Sequence, residues 1–522
     1  MKKFYIIIIS YFLLFNLFHE NPIVACNRNT SCNLQNDCNI DCGTSKPCSG
    51  SKSFFRPRSL MEDVVFFNGL NEYYYHRKYF EPDNIKRDEA PRIHIARGVV
   101  FEKSRNNSKH NVGKYFLPNN KNAVSVRENG SGDLGSLWFK VIAPDSLAYE
   151  STITFCPERS VFGGYFNYRQ DFDCIGGLWL EAQMALYRVE HRLHAVEKVT
   201  NRNALGTIRG ASTVLEYLSN NDLKYGKIKN CLEHPNFDDI QLKLGYDFFA
   251  CPEKGYYLGV YGSALIPTAD KPTAEYLFEP LVGRGHWGLG VGLNAGYNAY
   301  SCENHSLAFL GDFSYQHLFK GTELRSFDFK RQGQWSRYLR LARRDSPAVS
   351  FPAINLTTLP VKVEPRGVAN LWVAAHYQFC SMHFEVGYNL WWRQAEKVCL
   401  KRNKCPIRDP FAGGNVGIFG MGNVCTPTTA STANISQGKT FTGTGNVVVN
   451  DATFTPLSLD DLDLSSAAQP RILTNKVYAS FSYDLNFFCR PISLGVGASY
   501  EVSKDKNAFD QWGIWGNFET SF

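Results

Sequence analysis

Basic runs are missing from this chain. Lys and Arg number 56 against 49 Asp and Glu, a net charge of +7 over 522 residues, and no cluster of the kind that tracks a phosphate backbone occurs. Nucleic acid is thereby excluded as a partner. Beyond residue 25 there is also no apolar stretch of about 18 residues, the length a helix needs to cross a bilayer. Helical membrane spans are excluded. No GxSxG, HExxH, SxxK or EF-hand loop is present, and the cysteines match no CxxC zinc pattern. No enzyme, metal site or cofactor is expected. Methionine is scarce, at 5 residues.

Aromatics are plentiful instead, with 38 Phe, 27 Tyr and 9 Trp, and this excess needs a location. Lys2 and Lys3 followed by an apolar run from Phe4 to Phe18 form a secretory signal peptide, taken as residues 1–25, so the chain is exported. Ile23-Val24-Ala25-Cys26 resembles the bacterial lipoprotein box, which makes Cys26 a lipidation candidate; ordinary cleavage near Ala25 is the alternative. Fifteen cysteines in an exported chain favour disulfides over metal or redox chemistry. Residues 26–60 form a Cys-rich N-terminal segment, and Cys399 and Cys405 are close enough to close a small ring.

From about residue 160 onward, apolar residues recur at every second position, the period of strands with two unlike faces. Trp287, Leu289, Val291, Leu293, Ala295 and Tyr297 alternate with Gly288, Gly290, Gly292, Asn294, Gly296 and Asn298. Met382 to Arg393, Val477 to Leu485 and Ile492 to Val502 repeat the pattern. The runs extend to about 9–13 residues, against about 5–6 for an ordinary strand, and a tilted membrane strand needs about 9–11. Tyr, Phe and Trp sit at the ends of the apolar faces, as membrane girdles require. Short connections (Asp173-Cys174, Ala250 to Lys254, Ser301 to Asn304, Cys380-Ser381, Phe488 to Arg490) alternate with long ones (Thr200 to Phe237, Thr268 to His286, Lys320 to Ala369, Gln394 to Lys476), broken only by the short Ser503 to Asp510. Cys174, Cys251, Cys302, Cys380 and Cys489 all fall in or beside the short turns.

These features predict an all-β fold: a closed antiparallel transmembrane β-barrel with long extracellular loops and an irregular N-terminal segment. Eleven strands are placed, at 160–172, 176–188, 239–249, 255–266, 287–299, 305–318, 370–380, 382–393, 477–487, 491–502 and 511–522. An even count requires another, from Arg92 to Phe101 or Leu137 to Ala143, giving about twelve strands, with fourteen as the alternative. Residues 61–155 are a periplasmic segment, a plug or a first strand, and 156–522 the barrel. The end of the chain, with Trp512, Ile514, Phe518 and Phe522 on one face, resembles the signal read by the barrel-assembly machinery.

Gly283-Arg284-Gly285-His286-Trp287-Gly288 fits GxGxxG, but a strand follows it where a nucleotide site needs a helix. Asp460-Asp461-Leu462-Asp463 reads as a solvated loop face. His376, His383, Glu385 and Asp312 point inward and suit a polar lumen better than a catalytic set. With Asn294, Asn389, Trp391, Arg393 and Asp484 they are the lumen-lining candidates.

Gly245-Tyr246-Asp247-Phe248-Phe249, Ile266-Pro267-Thr268 and Gly283 through Tyr297 resemble the strand, Pro-Thr loop and Gly-rich strand of bacterial outer-membrane transport barrels. That group includes long-chain fatty-acid-transporter-like and aromatic-degradation-associated proteins. Leu462 to Ala467 with Asn475 to Tyr478 is similar to barrels of intracellular Gram-negative bacteria. The first resemblance implies passage of small solutes, apolar ones included, with no motif residue that fixes a substrate. The expectation is therefore a channel or passive transporter in outer-membrane lipid, its selectivity set by lumen residues and infolded loops. The alternatives are a surface adhesin or antigen that uses the barrel as an anchor, and an outer-membrane hydrolase.

Overall fold

In a computed structural model, residues 55–64, 93–105, 115–119, 121–127, 131–139, 149–172, 176–201, 212–251, 255–302, 304–400, 409–418, 434–436, 455–487, 490–504 and 507–521 are described. Twelve antiparallel strands close into a barrel: β1 (Ile93–Ser104), β2 (Glu158–Phe172), β3 (Leu178–Arg192), β4 (Ile240–Cys251), β5 (Tyr256–Ile266), β6 (Gly288–Cys302), β7 (His305–Leu318), β8 (Arg366–Phe379), β9 (Met382–Arg393), β10 (Ile472–Phe487), β11 (Arg490–Ser503) and β12 (Gln511–Ser521). Closure is made by β1, which pairs with β12 from His94↔Ser521 to Ser104↔Gln511 and on its other side with β2. The barrel thus takes its twelfth strand from Ile93–Ser104 and begins well before residue 156. Of Leu137 to Ala143 only residues 137–139 are described, and they lie in a short 3-10 turn, Ser136–Phe139, outside the wall. Cys26, Cys405 and Phe522 lie outside the described residues.

Alternation along each strand sorts side chains to two faces. Val99 is 58% exposed while its neighbour Val100 is 1% exposed. Leu289, Val291, Val386, Val496 and Ile514 all look outward. In water such a belt would be an aggregation surface; in hydrocarbon it is the stable face, and closure leaves no strand edge without a hydrogen-bond partner. Exposed Trp287, Tyr315, Phe319 and Trp512 lie towards one end of the belt, and Tyr297, Tyr300, Tyr377 and Tyr483 towards the other. Among the described residues no helix is long and apolar enough to cross a membrane. The chain is an outer-membrane β-barrel.

The short connections leave one, periplasmic, rim. The long ones, on the extracellular side, fold into a cap. Gly321–Ser326, Thr358–Glu364 and Lys397–Cys399 form one small sheet, Arg340–Arg343, Ser346–Pro352 and Val416–Ile418 a second, and Ala123–Arg127, Glu150–Thr154 and Val196–Asn201 a third. Phe116, Phe139, Trp335, Tyr338, Leu341 and Ile418 share a buried apolar cluster that runs down onto Leu265, Leu318 and Trp391 at the strand tops. The Trp335 indole donates to the Phe116 carbonyl at 2.6 Å, which satisfies its one polar atom. Cys399 in this cap is disulfide-bonded.

Candidate functional site

Residues 55–64 enter the barrel mouth from the cap side. Pro57 and Ser59 start a 3-10 turn, Leu60–Glu62, closed by a capping box in which the Met61 N–H donates to Ser59 Oγ and the Ser59 N–H donates to Glu62 Oε2. That local geometry turns Leu60, Met61 and Val64 onto an interior cluster that includes Tyr165, Tyr187, Trp372, Tyr478 and Trp515. Phe55 anchors the upper end against Tyr115, Phe278 and Phe509 of the cap.

Charged residues of the same segment clamp it to the wall. Lys476 Nζ lies 2.7 Å from Asp63, 3.1 Å from Glu102 and 3.3 Å from Glu501. Arg58 pairs with Asp63, Arg159 lies 3.8 Å from Glu102, and Gln511 donates to Glu102 and Glu501. Three carboxylates thus meet three cations. Above them Arg56 contacts Glu323 at 3.2 Å, and Glu323 also holds Arg325 at 2.5 Å and His286 at 2.7 Å. Burial opposes the Glu323 charge, yet the Arg56 and Arg325 guanidiniums and His286 keep its carboxyl well below the usual range. Arg284 binds Glu62 at 2.9 Å and the Pro57 carbonyl at 3.1 Å. Buried pairs of this kind contribute little net stability, but removing one partner costs about 3–5 kcal/mol because the other charge is stranded.

The GxGxxG segment has its role here. Gly283 and Gly285 adopt positive φ of 65° and 66°, a conformation open to glycine. This aims the N–H groups of Arg284 and Gly285 at Asp239, at 2.6 and 3.1 Å. Its neighbour Asp238 accepts from Ser59 Oγ at 2.5 Å and Tyr187 at 3.1 Å. The paired aspartates therefore tie loop, wall and inserted segment together. Burial first, then the adjacent Asp239 carboxylate, push the Asp238 carboxyl up to about 7.

The nine lumen candidates occupy three levels of the interior. Arg393 donates to the carbonyls of Arg56 and Pro470 and to Gln469. Trp391 is fully buried under the Arg284 guanidinium, and Asn389 donates to Asn370, which in turn donates to the Glu62 carbonyl. This top group touches the inserted segment or its partners. At mid-height Asp312 accepts from Tyr261 at 2.9 Å, and Asn294 is buried. Lowest is a chain of polar groups. Asp484 Oδ2 is 2.8 Å from His383 Nε2, and His383 Nδ1 is 3.1 Å from His376 Nε2. His376 lies 3.9 Å from Glu385, which accepts from Tyr478.

Inward glycines make room for aromatic rings across this interior. A Cβ at Gly387 would lie 2.4 Å from the Tyr478 ring, and one at Gly497 2.2 Å from that of Trp515. As a result the described interior is packed. A cavity of about 50 Å³ lies between Met61, Glu62, Lys243 and Asp312, and one of about 10 Å³ beside His376, His383 and Glu385. The latter holds no more than a water molecule, so the histidine chain has no room for a lipid or peptide substrate.

The clamp is not legible from the sequence. Its only signal is the density of charge in Arg56, Arg58, Glu62 and Asp63 around apolar Leu60 and Met61, and the partners lie hundreds of residues away.

No family model and no curated protein matches the sequence. Among solved structures, an outer-membrane channel from Pseudomonas putida F1 is 11% identical, covering 83% of this chain and 96% of its own, with a TM-score of 0.35. The β domain of the Bordetella autotransporter BrkA is 9% identical over 83% of this chain and 100% of its own, at 0.29. A Pseudomonas aeruginosa FadL homologue is 8% identical over 83% and 91%, at 0.27.

Proposed function

We propose that this barrel is a gated outer-membrane channel for small solutes, closed by residues 55–64 and opened when that segment leaves the mouth. The observation that carries the reading is the clamp. A barrel that serves only as an anchor can fill its interior with apolar side chains at less cost than buried ions. Here the ions converge on one ten-residue segment (55–64) and on the strand tops around it. With the segment displaced, Lys476, Glu102, Glu501, Asn370 and Asn389 become the walls of a polar passage. Below them Asp312, Asn294, His376, His383, Glu385 and Asp484 line the packed lower interior, which conducts only when the Tyr478 and Trp515 rings also swing aside; there confinement and charge set selectivity.

Planar-bilayer recording tests this on the wild-type protein and a variant lacking residues 55–64. The wild type is expected to be silent apart from rare openings, and the variant to conduct in steps. A correctly folded variant that stays silent, judged by heat-modifiable migration on a gel, overturns the reading.

One observation favours a second reading, a surface adhesin. The long extracellular connections form a cap with its own apolar core. Vesicles carrying the full-length protein that bind host-cell surfaces, from a barrel that never conducts, would support it over the channel.

A further inference from the structure

Every periplasmic hairpin of this barrel carries one cysteine. Cys174 lies between β2 and β3, Cys251 ends β4, Cys302 ends β6, Cys380 follows β8, and Cys489 lies between β10 and β11. Cys302 and Cys380 are both exposed and both free thiols. They sit on adjacent hairpins. Cys302 pairs with His305 across its turn, His305 pairs with Phe379, and the Cys380 N–H donates to the Asn304 carbonyl at 2.9 Å.

Two strand spacings separate these thiols, roughly 10 Å, which exceeds the ~7 Å between Cα atoms that a disulfide tolerates. They cannot pair within one barrel. Cys380 also holds a positive φ of 52°, where glycine or asparagine is the low-cost residue, so local backbone preference does not explain its presence.

We propose that Cys302 and Cys380 staple two copies of this chain into a covalent two-fold dimer at the periplasmic rim. Two barrels in one membrane stand at the same depth with their rims level. A two-fold axis along the membrane normal, placed opposite the β7–β8 wall, brings Cys302 of one barrel to face Cys380 of the partner subunit. The same rotation brings Cys380 of the first to Cys302 of the partner subunit, at the same separation. The contact is isologous, so two equivalent bonds are available and either one links the two copies.

The chemistry is thiol–disulfide exchange with a small disulfide or a disulfide-carrying oxidoreductase of the exported compartment. The Cys380 thiolate attacks that disulfide, forming a mixed disulfide and releasing one thiolate. Cys302 of the partner subunit, as thiolate, then attacks the Cys380 sulfur and releases the second. The two protein thiols are oxidised by two electrons, and the reagent disulfide is reduced to two thiolates.

The test uses full-length protein in phosphatidylcholine vesicles with oxidised glutathione, read on a non-reducing gel. The wild type is expected to give a dimer that dithiothreitol collapses. Cys302→Ser alone and Cys380→Ser alone each remove both bonds, so each is expected to run as a monomer. Vesicles containing the two single variants together regain a dimer through the one matched pair left. Heat-modifiable migration checks that every variant is folded. A dimer that persists in either single variant, a mixture that stays monomeric, or a wild type whose thiols end capped by glutathione without dimer overturns the proposal.

Discussion

Cap and mouth adjoin one another and share the strand tops, yet they are held by unlike forces. In the cap, Phe116, Phe139, Trp335, Leu341 and Ile418 form an apolar interior whose stability scales with the area removed from water. In the mouth, residues 55–64 are fixed by Lys476, Arg284, Arg56 and their carboxylates. The difference lies in how each fails. An apolar core loses stability gradually as atoms are removed, whereas a balanced buried ion cluster fails when a single charge is lost. On the gating proposed above, the inserted segment is the part of this molecule released without melting what surrounds it.

The largest expected effect follows from Lys476→Met. It strands Asp63, Glu102 and Glu501 around an apolar side chain, so the clamp should lose about 3–5 kcal/mol. In planar bilayers, openings should become frequent while heat-modifiable migration is unchanged. If the variant conducts no more than the wild type, the lysine is not what holds the segment.

A smaller effect is expected from Ile418→Val in the cap. One methyl group leaves a fully buried site, at a cost of about 0.5–1.5 kcal/mol. Hydrogen exchange in the strand Val416–Ile418 should quicken while the conductance stays that of the wild type. A conductance that rises with cap exchange would mean the two regions are one cooperative unit.

A third effect concerns pH. The Asp238 carboxyl, raised to about 7 by burial and by Asp239, binds a proton in the clamped state that it sheds in water near its ordinary value of 3.8. Clamping is therefore strongest below that ordinary value, weakens as pH rises towards 7, and is level above. Opening frequency should increase between pH 5 and pH 8 in the wild type and less steeply in Asp238→Asn, where Asp63, raised to about 7 by burial, still titrates. An increase of equal size in the variant would assign the dependence to another group.

The wall was legible in the sequence because lipid on one side and a polar interior on the other impose a strict period of two. Val386 outside and Glu385 inside are neighbours whose chemistry follows the face each one takes. The first strand was harder, since Arg97 and Gly98 interrupt the apolar run in Ile93–Ser104 and only pairing with β12 identifies it. The clamp was not legible. One 3-10 turn has no period, and its contacts join Arg56 to Glu323 and Asp63 to Lys476 across 267 and 413 residues. The cap escaped for a related reason: its strands are short and are paired by chain segments far apart, as Phe329 with Leu462 shows. Strand phase alone selects the face of a residue and not its neighbour across the lumen. It marks Arg393 as an inward wall residue but not as the donor to the Arg56 carbonyl.

Hydrogen–deuterium exchange of residues 55–64, followed in the wild type and in Lys476→Met, tests the account most directly. The wild type should protect the N–H groups of Met61 and Asp63 as well as it protects the barrel strands, and the variant should lose that protection while the cap peptide 339–342 keeps its own. Unprotected amides in the wild type, or cap and inserted segment losing protection together, would contradict a clamp that releases independently of the cap core.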